Sequence, residues 1–299
     1  VIVGKDEQLE LIMTTLVSGG HLLLEDVPGV AKTLAAQATA QALGLDFRRI
    51  QFVPDLLPGD ISGSFIYDSR ADSFRFRKGP IFTNLILADE INRGTPKTQS
   101  ALLEAMQEQQ VTVEGQSFAL DKPFMVIATQ NPLEFEGTYP LPEAQIDRFL
   151  ARMSMGYPSP EAECDMLARR QARQADAVTL SPVLSKQDFL KIQRAIEAIH
   201  VNPDIHSYIV QIVAKTRADS RVQLGASPRG SLALFKLSRS RAMMQGRDFV
   251  TPDDVKAVAV PALAHRVLLR PELWAERISG ETVVQDALDG VPVPKAEWR

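Results

Sequence analysis

Apolar positions follow two rhythms along this chain, and the change from one to the other divides it. After Asp6, the residues Leu9, Ile12, Met13, Leu16 and Val17 recur at helical spacing until Gly19 and Gly20 end the run. Short, nearly all-apolar runs follow, at 21–24, 85–88 and 124–128. Strands covered on both faces read this way, as in a parallel sheet with helices on each side. Phe47 to Phe52 predicts another strand and Ala151 to Met155 a fifth. Between them, an alanine-rich helix runs from Lys32 to Leu43 and is closed by Gly44. A second helix opens at Thr95-Pro96 and turns Leu102, Leu103 and Met106 to the core. Two stretches alternate instead. Ser64 to Arg77 sets Phe74 and Phe76 among charges, and Val111 to Leu120 pairs Val111 and Val113 with a Glu114-Gly115 turn. These predict antiparallel ribbons added to the α/β frame.

Past Tyr157-Pro158-Ser159-Pro160 the pattern becomes almost entirely helical. Phe189, Ile192, Ile196 and Ile199 mark a helix behind Ser185, whose Asp188 suggests a capping box. Ile205, Ile209, Ile212 and Val213 mark the next, and Leu232, Phe235 and Leu237 follow Ser227-Pro228. Thr251-Pro252-Asp253-Asp254 opens another with cap, proline and acidic first turn. The expected division is an α/β domain over 1–157 and an all-α domain over 158–299.

Composition narrows this picture only a little. The chain has 299 residues, 45% hydrophobic and 23% charged, as an ordinary soluble globular protein would be. A net charge of −4 gives no bulk reason to expect nucleic acid or an anionic membrane. The basic stretch from Arg70 to Lys78 is diluted by Asp68 and Asp72. The one cysteine, Cys164, excludes an intrachain disulfide, fits a reducing compartment and reads as a buried or idle thiol on a helix. No apolar run approaches the roughly 20 residues that span a bilayer, and no secretory signal is visible, so the cytoplasm is expected. Starting at Val1 rather than Met, the chain is expected to lack some N-terminal sequence. His200 and His206 have no cysteine or acidic cluster beside them for a metal site. Trp274 and Trp298 suit packing or an exposed tail better than base stacking.

The chemistry sits where apolar runs end. Asp26-Val27-Pro28-Gly29-Val30-Ala31-Lys32-Thr33 corresponds to the phosphate-loop pattern of Gly, four residues, Gly-Lys-Ser/Thr. Lys32 would reach the β- and γ-phosphates, Thr33 would ligate magnesium, and N–H groups opening the helix would cradle phosphate. Asp26 and Ala31 replace the two framing glycines. Aspartate tolerates unusual backbone angles, and alanine is small enough for a first helical turn. The second run ends in Asp89-Glu90, an aspartate for the metal and a glutamate to polarise a water. The third ends in Thr129-Gln130-Asn131-Pro132, where an amide could position that water. Taken singly, each has a bland alternative: a turn that binds nothing, a solvated strand end, and a common Asn-Pro turn. Their occurrence on successive buried strands argues for nucleoside triphosphate hydrolysis. The loop alone also admits a small-molecule kinase.

Longer segments carry a resemblance. Glu25 to Thr33, Ala88-Asp-Glu-Ile-Asn-Arg93, Thr98 to Glu108, Val111-Thr-Val, Ala128-Thr-Gln-Asn-Pro132, Leu141-Pro-Glu-Ala-Gln-Ile-Asp-Arg-Phe149 and Gly225-Ala-Ser-Pro-Arg229 closely resemble MoxR-type AAA+ ATPases. The resemblance runs over essentially the whole chain. It implies an α/β P-loop domain with a parallel sheet, flanking helices and β-hairpin inserts, followed by an all-α lid. It further implies a homo-oligomeric ring, commonly a hexamer, with ATP and magnesium held between neighbours.

By position within these motifs, the loop residues Val27, Pro28, Gly29, Val30, Ala31, Lys32, Thr33 and Leu34 would bind nucleotide. Thr33 and Asp89 would serve the metal and Glu90 the water. Asn131 looks like sensor 1, Arg148 like the arginine finger offered to a neighbour (with Arg152 as a competitor), and Arg229 like sensor 2. Ile2 and Val3, in Val1-Ile-Val-Gly4, resemble the segment lining the adenine pocket. The two ribbons resemble the helix-2 insert and pre-sensor-1 hairpin shared with magnesium chelatase and MCM-type motors. The activity implied is remodelling or maturation of client proteins, with separate von Willebrand factor A domain partners common in the family. The rival readings are a nucleotide-gated scaffold with slow hydrolysis and a nucleic-acid motor, the latter disfavoured by the acidic charge.

Overall fold

A computed structural model describes residues 2–132, 137–176, 178, 180–276 and 278–295. The chain begins α1 (Asp6–Val17), β1 (Leu22–Glu25), α2 (Lys32–Ala42), β2 (Phe47–Gln51), α3 (Pro58–Ser62), β3 (Gly63–Asp68) and β4 (Ser73–Lys78). It continues through β5 (Leu85–Asp89), α4 (Pro96–Glu108), β6 (Gln110–Val113), β7 (Gln116–Ala119) and β8 (Met125–Gln130). Next come α5 (Glu143–Ile146), β9 (Ala151–Met153), α6 (Pro160–Arg173), α7 (Lys186–Ala195) and α8 (Pro203–Ala218). The last elements are β10 (Val222–Leu224), α9 (Pro228–Met244), α10 (Pro252–Leu263), β11 (Leu268–Leu269) and α11 (Gly280–Asp289). Two compact units share the chain: 1–10, 21–141 and 153–190 form the first, and 11–20, 142–152 and 191–299 form the second.

The first unit is built on a sheet whose strands run in the order β2-β5-β8-β1. The expected parallel α/β frame is present: β2 pairs with β5, β5 with β8 and β8 with β1, all parallel. Every side chain of β5 is buried, as are Leu22, Leu23 and Leu24 of β1 and Met125 to Thr129 of β8. Each fully buried Leu, Ile or Val favours folding by about 1.5–3 kcal/mol, which is why these runs lack the alternation of a one-faced strand. His21, just before β1, is buried and joins three elements. Its Nδ1 accepts from Val126 N at 3.0 Å and its Nε2 faces Met106 O at 3.1 Å. The first contact makes Nδ1 the acceptor, so Nε2 carries the proton and donates.

Register brings the C-terminal ends of the strands to one edge. Gln51 lies opposite Asp89, and Glu25 lies opposite Gln130. The residues that follow β1, β5 and β8 therefore emerge side by side, the usual place for a ligand in an open α/β sheet.

Both expected ribbons form. In the first, Tyr67 pairs with Phe74 and Phe65 with Phe76. At its base Gly63 and Gly79 cross at backbone distance: a Cβ on Gly63 would lie 2.2 Å from Arg77 O, and one on Gly79 2.2 Å from Ile61 O. In the second, Glu114 and Gly115 turn with φ of 49° and 79° between β6 and β7. Two positive φ values in succession suit the twist of a tight hairpin. The Phe118 ring stacks on Phe76 at 4.0 Å and joins the two ribbons.

In the second unit, α8 to α11 begin as polar caps dictate. Asn202 accepts from Asp204 N, Ser227 from Arg229 N and Ser279 from Thr282 N, while Thr251 and Asp254 form a capping box. Each cap satisfies a helix N–H that has no partner within the helix. Asp254, buried, also accepts both terminal nitrogens of Arg247 at 2.6 and 2.7 Å. In the first unit, the Ser185 hydroxyl donates to Asp188 and accepts its N–H, the cap expected ahead of α7. Cys164 is free and exposed on α6 rather than buried. Val1 and Trp298 lie outside the described residues. Among the described residues no helix is long and apolar enough to cross a membrane, and no trio of His, Cys, Asp or Glu is placed to hold a metal.

Candidate active site

The loop after β1 departs from expectation at both replaced glycines. Asp26 works through its carboxylate, not through an unusual backbone angle. Only 7% exposed, it accepts Val27 N at 2.9 Å on Oδ1, and Ser154 Oγ at 2.9 Å and Gly156 N at 2.7 Å on Oδ2. The loop is thereby tied to the stretch that follows β9. Lys32 donates across the loop to Asp26 O at 2.9 Å and Val27 O at 3.2 Å.

Ala31 is not in a first helical turn. It is the N-cap of α2, left-handed at φ 61° and ψ 23°, with no side-chain cap bond. The conformation costs an L-residue about 1–2 kcal/mol because Cβ crowds the following carbonyl. The local geometry is thus that of a glycine-framed phosphate loop, held with alanine in place. Gly29, at φ 85°, has no atom within 4 Å of where a Cβ would stand.

At the end of β5 the two carboxylates are clamped. Asp89 is 8% exposed; its Oδ1 accepts the Thr129 hydroxyl at 2.6 Å, and its Oδ2 accepts Arg49 Nε at 3.0 Å and Nη2 at 2.6 Å. The Thr129 oxygen in turn accepts Glu90 N at 2.9 Å. Glu90 is itself left-handed at φ 54°, and its Oε2 accepts Gln51 Nε2 at 2.7 Å and Arg93 Nη1 at 3.2 Å. Arg49 Nη2 also donates to Gln51 Oε1 at 2.6 Å, closing the group. Arg49 and Gln51 lie outside the sequence motifs, and Arg93 and Thr129 lie within them but had no role assigned. The available signal was modest: Arg49 and Gln51 share one face of β2 at a sheet edge where polar side chains collect.

These segments converge on one cleft of about 430 Å³, lined by Pro28, Gly29, Ala31, Lys32, Thr33, Leu34, Asp89, Glu90 and Asn131. Ile2, Val3, Val27 and Val30 do not line it. Asn131 is buried, and its carbonyl accepts Asn92 Nδ2 at 3.5 Å. The donors here, a threonine hydroxyl and a carboxylate, are hard oxygens suited to magnesium. Arg49 against Asp89 shows that this carboxylate takes a cation. The residues fit the metal.

Arg148 and Arg229 belong to the second unit, together with Asp147. Arg148 follows α5, and its N–H donates to Gln145 O at 3.2 Å. Arg229 stands in the first turn of α9, with Nη1 3.9 Å from Asp147 Oδ2. The same carboxylate accepts Arg266 Nε at 2.7 Å and the Ser227 hydroxyl at 3.2 Å. Arg266 is buried, and its Nη2 donates to Asp147 O at 3.1 Å and Phe149 O at 2.8 Å, so it braces the turn that carries Arg148. Burial lowers the Arg266 pKa and the Asp147 charge opposes that. His265 beside it is pushed well below the ordinary histidine value, first by burial and then by the Arg266 and Arg152 charges. Arg266 escaped the sequence reading because nothing local distinguishes an arginine at a helix end that is buried by tertiary packing.

Comparison with known proteins agrees with this geometry. Residues 21–151 match the model of the ATPase family associated with various cellular activities (AAA), and 214–287 match the AAA lid domain. The chain is 51% identical to an uncharacterised protein, YeaC, of Bacillus subtilis, over 98% of this chain and 92% of that one. It is 44% identical to chaperone MoxR1 of Mycobacterium tuberculosis, over 99% of this chain and 80% of that one. A crystal structure of a candidate ATPase from Cytophaga hutchinsonii superposes with a TM-score of 0.91 at 41% identity, covering 99% of this chain and 92% of that one. A lysine- and threonine-bearing loop, an acidic strand end and a third buried strand that ends polar surround one cleft, and with kinship of this extent they leave one assignment: the chain belongs to the MoxR family of AAA+ ATPases.

Proposed function

We propose that this chain hydrolyses ATP at the cleft between β1, β5 and β8, and that a ring of such subunits uses the energy to remodel or mature client proteins. The observation that carries this reading is the convergence of Lys32, Thr33, Asp89, Glu90 and Asn131 on one cleft. Lys32 has its ammonium on the loop carbonyls of Asp26 and Val27, at the cleft it also lines. N–H groups at the start of α2 face the same cleft and favour negative charge. Thr33 and Asp89 would hold magnesium, which when bound would offset phosphate charge. Glu90 is the base for water, and its release from Gln51 and Arg93 would set its readiness. Asn131, at the end of β8, would orient that water.

We assign Arg148 to a neighbour's site and Arg229 to coupling between nucleotide state and the helical domain, which we take to begin after 157. The name of the relative MoxR1 supports a protein client. A separate partner with a von Willebrand factor A domain and a hexameric ring are part of the proposal. The clamp on Glu90 also favours a second reading, a nucleotide-gated scaffold whose hydrolysis is slow until a partner frees the glutamate.

ATP turnover per subunit, measured as protein concentration rises through the micromolar range, tests the proposal. A cooperative rise supports sites completed between subunits, and Arg148→Ala then lowers turnover by about 10³-fold or more with nucleotide affinity retained. A low rate that stays flat with concentration, alongside nucleotide-dependent assembly, favours the scaffold. Full turnover in Arg148→Ala removes that arginine from the mechanism.

A further inference from the structure

The carboxylate offered to the metal already holds a cation of the protein's own. Arg49 and Gln51 stand two residues apart on β2 and so leave it on one face, with Gln51 opposite Asp89 and Arg49 opposite Leu87 in register. From there Arg49 reaches Asp89 Oδ2 with Nε at 3.0 Å and Nη2 at 2.6 Å, and Nη2 also reaches Gln51 Oε1 at 2.6 Å. Gln51 passes the connection on, donating to Glu90 Oε2 at 2.7 Å. One arginine therefore touches the metal carboxylate directly and the proposed base through a single amide.

The exposure of the two partners is unequal. The Asp89 side chain is 11% exposed and the Arg49 side chain 50%. A buried carboxylate needs a counter-charge; a guanidinium half in water supplies one and leaves again without being stranded in the interior. A divalent cation makes the same claim on the same oxygens with twice the charge.

We infer that Arg49 is a positioning residue, a resident counter-cation on Asp89 that yields Oδ2 to a divalent metal. Its departure breaks the Nη2 bond to Gln51, so metal loading is registered at Glu90. The inference rests on the nucleotide site proposed above. It also gives Gln51 a purpose that a simple strand end does not require.

Fluorescent ADP binding in metal-stripped buffer, titrated with magnesium, tests it. With its arginine half in water the pair has about the strength of a surface ion pair and keeps the open state a minor one, so Arg49→Gln lowers the half-saturating magnesium concentration about fivefold. Arg49→Lys keeps a competing cation and stays within about twofold of the parent chain. ADP affinity in EDTA, which depends on the loop and Lys32, is unchanged in both variants. An arginine that only braces the fold would lower the melting temperature of Arg49→Gln without moving the magnesium midpoint. An unchanged or raised midpoint overturns the inference and leaves the site standing. Absence of magnesium-dependent ADP binding in the parent chain overturns the site itself, and the inference with it.

Discussion

Replacing Ala31 by glycine should stabilise the protein, against the common expectation that glycine weakens a helix. Ala31 sits left-handed at φ 61° and is the uncapped N-cap of α2. Its methyl group is exposed, so no packing is lost with it. The left-handed conformation costs alanine about 1–2 kcal/mol, and glycine about nothing. Against this, the unfolded glycine chain is freer by about 0.4–1 kcal/mol. The balance is a gain of roughly 0.5–1 kcal/mol, or about 1–4 °C in melting temperature for a domain of this size. Urea unfolding followed by circular dichroism measures it, with Ala31→Asn as a second variant tolerant of the same conformation and Ala31→Val as the opposite control. Nucleotide affinity should hold or tighten, since the loop geometry is kept at lower strain. A glycine variant less stable than the parent, or a valine variant equal to it, would refute the reasoning.

Asp26→Ala should cost about 2–4 kcal/mol in urea unfolding, because Gly156 N and Ser154 Oγ lose a charged acceptor; a loss below 0.5 kcal/mol would mean the tether is idle. Glu90→Gln should cut steady-state turnover by about 10²–10⁴-fold with ADP affinity preserved, and a variant that turns over normally would exclude Glu90 as the base. His265 is held well below its ordinary value of 6.5, so the native residue is neutral while the unfolded one takes up a proton as pH falls below that value. Stability present above pH 6.5 should therefore be lost below it, by up to about 1.4 kcal/mol per pH unit. Urea midpoints at graded pH show this slope in the parent and a flatter one in His265→Gln; parallel lines would contradict it.

The sheet was legible because burial on both faces leaves an apolar run, and the ribbons because their residues alternate about a turn. Residues 85–88 became β5 and 124–128 became most of β8 on that ground alone. The loop, Asp89 and Glu90 were legible as motif residues at strand ends. What sequence did not carry was the partnership of side chains distant along the chain. Arg49 and Gln51 acquire meaning only when register sets β2 beside β5. Asp26 looked like a backbone choice, since its acceptors' donors lie about 130 residues away at Ser154 and Gly156. Ala31 misled for the opposite reason: its identity argued for a helical turn, and the loop imposed a glycine's conformation on it.

The strand order bears on how the protein is made. The strand β1 pairs with β8, which is synthesised about 100 residues after it. At roughly 5–20 residues per second, a nascent Leu22-Leu23-Leu24 waits about 5–20 s with that edge bare. An unpaired apolar strand is a template for association with other chains. Fragments released before β8 has emerged should be the aggregating ones, and chains released after it should stay in solution.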